Sequence, residues 1–94
     1  MARDAIILMT DGSTRKAFPK NGLDFKCEEL NEIVDGWIEI VDLGDSYMVV
    51  NEEGKIRGFA YNEKATNILH KKCPLMCGDY IAGNALVCRK EQIK

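Results

Sequence analysis

The residues best equipped for chemistry are few: one histidine, His70, four cysteines at 27, 73, 77 and 88, and two serines, Ser13 and Ser46. His70-x-x-Cys73-x-x-x-Cys77 sets three soft ligands within eight residues, and Cys27 or Cys88 could complete a tetrahedral zinc site. The same side chains offer a second chemistry, a thiolate activated by a neighbouring imidazole. Each has a plainer competitor. A histidine beside Lys71 and Lys72 suits the negative end of a helix dipole, and cysteines pack as small apolar residues. The one close cysteine pair is spaced by three residues rather than the commoner two, and Pro74 and Gly78 make the segment read as a loop. No Gly-x-Ser-x-Gly, phosphate-loop, dinucleotide-binding or His-Glu-x-x-His pattern occurs. The expectation is a chain with no catalytic group, no cofactor and no metal, His70, Cys73 and Cys77 being the metal candidates to test.

Charge offers a stronger signal than nucleophiles. The net charge is −2, but the segments differ: residues 1–20 carry +2 (four basic, two acidic), 21–55 carry −8 (two basic, ten acidic) and 56–94 carry +4 (seven basic, three acidic). The middle block contains Glu28, Glu29, Glu32 and Asp35 on a candidate helix and Glu52 and Glu53 on a candidate turn, with Asp24, Glu39, Asp42 and Asp45 nearby. Such a surface can steer a basic partner, or imitate a phosphate backbone against a nucleic-acid-binding protein. A solvated helix face with ordinary acidic turns is the plainer account. Direct nucleic-acid binding has less support, because the cations of the last segment are not interleaved with aromatic residues. A groove between protomers could hold a small anionic, nucleotide-like ligand, with Arg57, Gly58, Asn62, Gly83 and Asn84 supplying a cation, a side-chain amide and backbone amides.

Local patterns name the elements that must position these groups. Ala5–Met9 and Thr14–Phe18 flank an Asp-Gly turn and read as a hairpin. From Lys26 to Asp35 the apolar residues Cys27, Leu30, Ile33 and Val34 share a helical stripe, and Gly36 stops it. Trp37–Leu43 and Tyr47–Val50 are strands, and Asn51–Lys55 reads as a turn closed by a left-handed Gly54 that feeds a third strand, Ile56–Ala60. Asn62 caps a second helix that runs to Lys72 and cannot pass Pro74. Ile81–Val87 is the final strand, bulged at Gly83-Asn84. The expected fold is α+β: a small, mainly antiparallel sheet of five or six strands with two short helices in the order ββα-βββ-α-β, the helices covering one sheet face.

With 46% hydrophobic and 30% charged residues the 94-residue chain has ordinary globular composition, and its length fits a single domain over 1–94. The apolar run Ala5–Met9 is too short for a signal-peptide core or a membrane span. A cytoplasmic protein with free thiols, making no membrane contact, is expected.

From Tyr47 onward, Tyr47–Phe59, Asn62-Glu63-Lys64-Ala65-Thr66 and Ile81–Val87 resemble a family of short domains found in phages, plasmids and conjugative elements, the domain-of-unknown-function family 3846. Its motifs are turn, cap and bulge residues, so the resemblance implies a fold and a mobile-element setting and supplies no catalytic residues. In that setting small proteins often bind or block a host component. The expectation is therefore a non-enzymatic binding or inhibitory module that engages a host protein, in an anti-defence role, through its acidic surface, and that pairs through its sheet edges as a homodimer. A sponge for a small anionic ligand and a structural domain with no ligand are the alternatives.

Overall fold

The computed structural model describes residues 5–93; Arg3, Asp4 and Lys94 of the charge arithmetic, and the ends of the expected 1–94 domain, lie outside them. Strands β1 (Ala5–Leu8) and β2 (Thr14–Ala17) form the first hairpin. Helix α1 (Cys27–Val34) leads to a second hairpin of β3 (Ile38–Asp42) and β4 (Tyr47–Asn51). Helix α2 (Glu63–Lys72) is followed by a short 3₁₀ turn, Pro74–Met76, and by β5 (Ala85–Cys88). The five strands lie in the order β2-β1-β5-β4-β3, antiparallel throughout. The last strand in sequence is thus the central one in space, joining the two hairpins. No described helix is long and apolar enough to cross a membrane.

Alternation along the strands divides the core into two layers. Val49 and Leu86 face Leu30 and Val34 of α1, while Met48, Val50 and Ala85 face Ala65 and Leu69 of α2. The helices therefore cover opposite faces, contrary to the expectation that both lie on one. The physical reason is in β4, where Met48, Val49 and Val50 are all buried. A strand apolar on both sides needs a partner on each, and full burial of each such side chain contributes about 1.5–3 kcal/mol.

The expected third strand, Ile56–Ala60, is absent and the sheet has five strands, not six. Residues 52–58 wind as one tight turn in which Arg57 N donates to Glu53 O (2.8 Å) and Phe59 N to Gly54 O (2.9 Å). Gly58, at φ 73°, supplies the left-handed residue that ends it. Gly54 is needed for a different reason. A Cβ there would lie 2.5 Å from the Ala82 carbonyl oxygen, so the glycine permits close backbone approach. Ile56 points to solvent, 87% exposed. The final strand also starts later than its composition suggests, at Ala85 rather than Ile81. In the segment before it, Ala82 forms an isolated bridge to Tyr61 instead.

Candidate docking surface

The residues expected to grip a small ligand are occupied within the fold. Asn62 is fully buried, donates from Nδ2 to the carbonyls of Leu8 and Gly83 (both 2.9 Å) and accepts from Ala65 N (3.1 Å). It caps α2 and ties that helix to the end of β1. Gly83 N donates to Ala60 O (2.8 Å) and Gly58 N to Lys55 O (3.2 Å), so neither amide is free for phosphate. Asn84 accepts from Thr10 N (3.0 Å). Arg57 donates to Asp35 O (2.9 Å) and lies over the Phe59 ring (4.6 Å). Together with the buried amide of Asn51, which donates to Val34 O (3.0 Å) and Asp35 O (3.1 Å), Arg57 satisfies the last carbonyls of α1. Of the five, Gly83 and Asn84 line a shallow pocket of about 200 Å³ beside Asp35 and Phe59.

The metal candidates also separate. His70 Nε2 donates to Asp79 O (2.7 Å), which fixes the tautomer, and Cys73 Sγ is directed at Asp42 O (3.5 Å). Cys77 is exposed, and all four cysteines are free thiols. Among the described residues no three His, Cys, Asp or Glu side chains stand where they could share a metal ion. Burial pushes the Cys88 thiol up to about 11, so it is no nucleophile at neutral pH. Both serine hydroxyls donate to carboxylates of their own turns, Ser13 to Asp11 (2.6 Å) and Ser46 to Asp45 (3.0 Å).

The acidic block sorts into two groups. Glu29 serves α1: its oxygens accept from Lys26 N (2.8 Å) and Lys20 N (2.9 Å), and these amides, Lys26 first, hold its carboxyl below the ordinary value. Asp24 is buried against Asn21 (2.8 Å) and Lys26 (3.4 Å). Asp42 pairs with Lys90 (3.0 Å) and Asp45 with Lys72 (2.8 Å). The other group has no cation partner among the described residues: Glu28, Glu32, Asp35, Glu39, Glu52 and Glu53, all exposed. Glu28 and Glu32, at i and i+4, share one face of α1, and Asp35 follows as its left-handed C-cap (φ 60°). Glu52 and Glu53 stand on the turn held against the far end of that helix by Asn51 and Arg57.

Beside this face of α1 lies a feature that the sequence does not announce. Helix α1 packs mainly over β4, β5 and β3; on the same face the first hairpin buries Ala5 and Ala17 in the α1 layer of the core and leaves Ile7 only partly covered. A groove of about 440 Å³ results, floored by Ile7, Met9, Phe25 and Ile33. Phe18, 66% exposed, stands at its side. Arg15, Lys20, Glu29 and Glu32 also line the groove, Lys20 meeting Glu29 through its backbone amide (2.9 Å). On the opposite sheet face a smaller cavity of about 220 Å³ is closed by an ion pair between Lys55 and Asp79, with Lys55 Nζ also 4.7 Å from the Tyr80 ring centroid. That contact holds the 52–58 turn against the segment before β5.

The groove thus joins apolar area to side chains of both charge signs. No curated protein and no solved structure matches the chain. Over residues 5–93 it matches the model of a domain of unknown function, DUF3846, and the protein belongs to that family.

Proposed function

We propose that the protein is a non-enzymatic docking module that takes an amphipathic, basic segment of a protein partner across α1 and the groove beside it. The observation that carries this reading is the position of Glu32, which shares an exposed face of α1 with Glu28 and also lines the apolar groove. Apolar residues of the partner enter between α1 and the first hairpin, and its cations lie along the helix. The phage and plasmid setting implied by the family resemblance makes a host protein the natural partner, met in the cytoplasm and blocked by occupancy in an anti-defence role.

The test is capture of a partner from host lysate, followed by binding kinetics with Glu28→Lys/Glu32→Lys and with Phe18→Ala. Charge reversal slows association and flattens its salt dependence, because exposed charges act mainly through steering. Loss of Phe18 quickens dissociation, because apolar anchors act on the bound state. A captured partner whose association and dissociation rates are unchanged by both variants refutes the reading.

A further inference from the structure

The sheet has two open edges, and they are not alike. The β2 edge is four residues long, carries Arg15 and Lys16 and runs into Pro19. Short length, cations and a nearby proline are the devices that keep an edge from pairing. The β3 edge, Ile38-Glu39-Ile40-Val41-Asp42, has no lysine, arginine, proline or glycine and is rich in β-branched residues. Glu52 N donates to Trp37 O and Leu43 N to Ser46 O (both 2.9 Å). In the antiparallel register of β3 with β4, residues 37, 39, 41 and 43 therefore turn their backbone groups toward β4. Ile38, Ile40 and Asp42 turn theirs outward.

We propose that this edge pairs antiparallel with β3 of a second copy about a two-fold axis through Ile40. That register sets Ile40 against Ile40 and each Ile38 against the partner's Asp42, so every outward-facing residue of the strand sits in a hydrogen-bonded pair. The charges agree with it. Glu39 faces Val41, and Asp42, already held by Lys90 (3.0 Å), faces Ile38. Sliding the axis to residue 39 would put Glu39 directly opposite Glu39, which is destabilising, and would leave Asp42 without a pair. The Asp42 carbonyl accepts from Cys73 Sγ (3.5 Å) and keeps a second lone pair for the partner. Ile40 (42% exposed) and Trp37 (70% exposed) supply apolar surface along the seam. A two-fold axis perpendicular to the sheet keeps both α1 helices on one side, so the dimer presents two docking faces in the same direction. A seam of one short strand per copy is smaller than the roughly 1,200–2,000 Å² of a stable interface, so the equilibrium is reversible and concentration-dependent.

Sedimentation equilibrium on the full chain from micromolar to millimolar concentration tests this, with Ile40→Lys and Lys16→Glu beside the parent and circular dichroism to confirm that each folds. The parent dimerises with rising concentration, Ile40→Lys weakens the dimer at least tenfold by placing two cations across the axis, and Lys16→Glu on the other edge leaves it unchanged. A parent that stays monomeric at millimolar concentration overturns the proposal. So does a dimer as strong in folded Ile40→Lys as in the parent.

Discussion

Replacing Asn62 by aspartate separates two roles that one side chain combines. At an ordinary helix N-cap, Asp serves about as well as Asn, since only the acceptor oxygen matters. Here Nδ2 also donates to Leu8 O and Gly83 O (both 2.9 Å) at a site with no solvent exposure. Asn62→Asp keeps the acceptor for Ala65 N (3.1 Å) but turns a carboxylate oxygen toward two carbonyl oxygens. Two lost hydrogen bonds at about 1 kcal/mol each, with roughly another 1 kcal/mol for acceptors left facing one another, give a loss of about 3 kcal/mol at neutral pH. Against a total of about 5–15 kcal/mol for a domain, that is a large share. It lowers the melting temperature by roughly 12–24 °C, at about 4–8 °C per kcal/mol for this size. Urea unfolding followed by circular dichroism measures it, with Asn62→Ala for comparison. The aspartate variant should equal or exceed the alanine variant in damage. Its deficit should shrink as the pH falls, because the buried carboxyl has a raised pKa and can donate once protonated. An aspartate variant within about 0.5 kcal/mol of the parent would show that the cap alone matters and that the two carbonyl bonds are idle.

Three further outcomes rest on the same geometry. Glu29→Ala lowers the urea midpoint at pH 7, and its difference from the parent closes as the pH falls from about 4.5, since a depressed carboxyl pKa stabilises above the unfolded value and stops doing so on protonation. Gly36→Ala is more damaging than Gly12→Ala in thermal melts: both positions have positive φ (150° and 91°), but only at Gly36 does the new Cβ meet Asn51 Nδ2 (2.7 Å) and Arg57 Nη1 (2.9 Å). The strain alone at Gly12 should cost about 1 kcal/mol. A thiol reagent at pH 7.5 modifies exposed Cys27 and Cys77 quickly, half-buried Cys73 more slowly, and buried Cys88 only when urea unfolds the chain.

Where local chemistry dictates structure, the sequence is readable. The stripe of Leu30, Ile33 and Val34 with Gly36 behind it marks α1, and Asn62 ahead of Ala65, Ile68 and Leu69 marks α2. The 52–58 turn misleads because glycine has two uses with one spelling: Gly54 admits the Ala82 carbonyl, whereas Gly58 takes the positive φ. A tertiary neighbour decides which is which. Of the acidic candidates, Glu29 carries a usable sign of its structural role, standing three residues after the position preceding α1, where a carboxylate reaches back to an unpaired amide. The role of Asn51 at the end of α1 has no such sign, because it spans elements 16 and 17 residues apart. The groove is beyond local reading altogether, since its lining comes from the first hairpin, Phe25, α1 and Asn84, which only the tertiary fold brings together.

The central position of β5 has a consequence for how the chain comes into being. Both hairpins are local in sequence and can close as soon as they are synthesised, yet β1 and β4 each need β5 between them before the sheet is continuous. Until residues 85–88 have left the ribosome, the nascent chain carries two small sheets with unfilled inner edges and half-covered apolar faces, the state in which strand-edge aggregation competes with folding. Cooperative stability then arrives late and in one step, with the strand that closes the gap, so that loss of this short segment should abolish the fold rather than trim it.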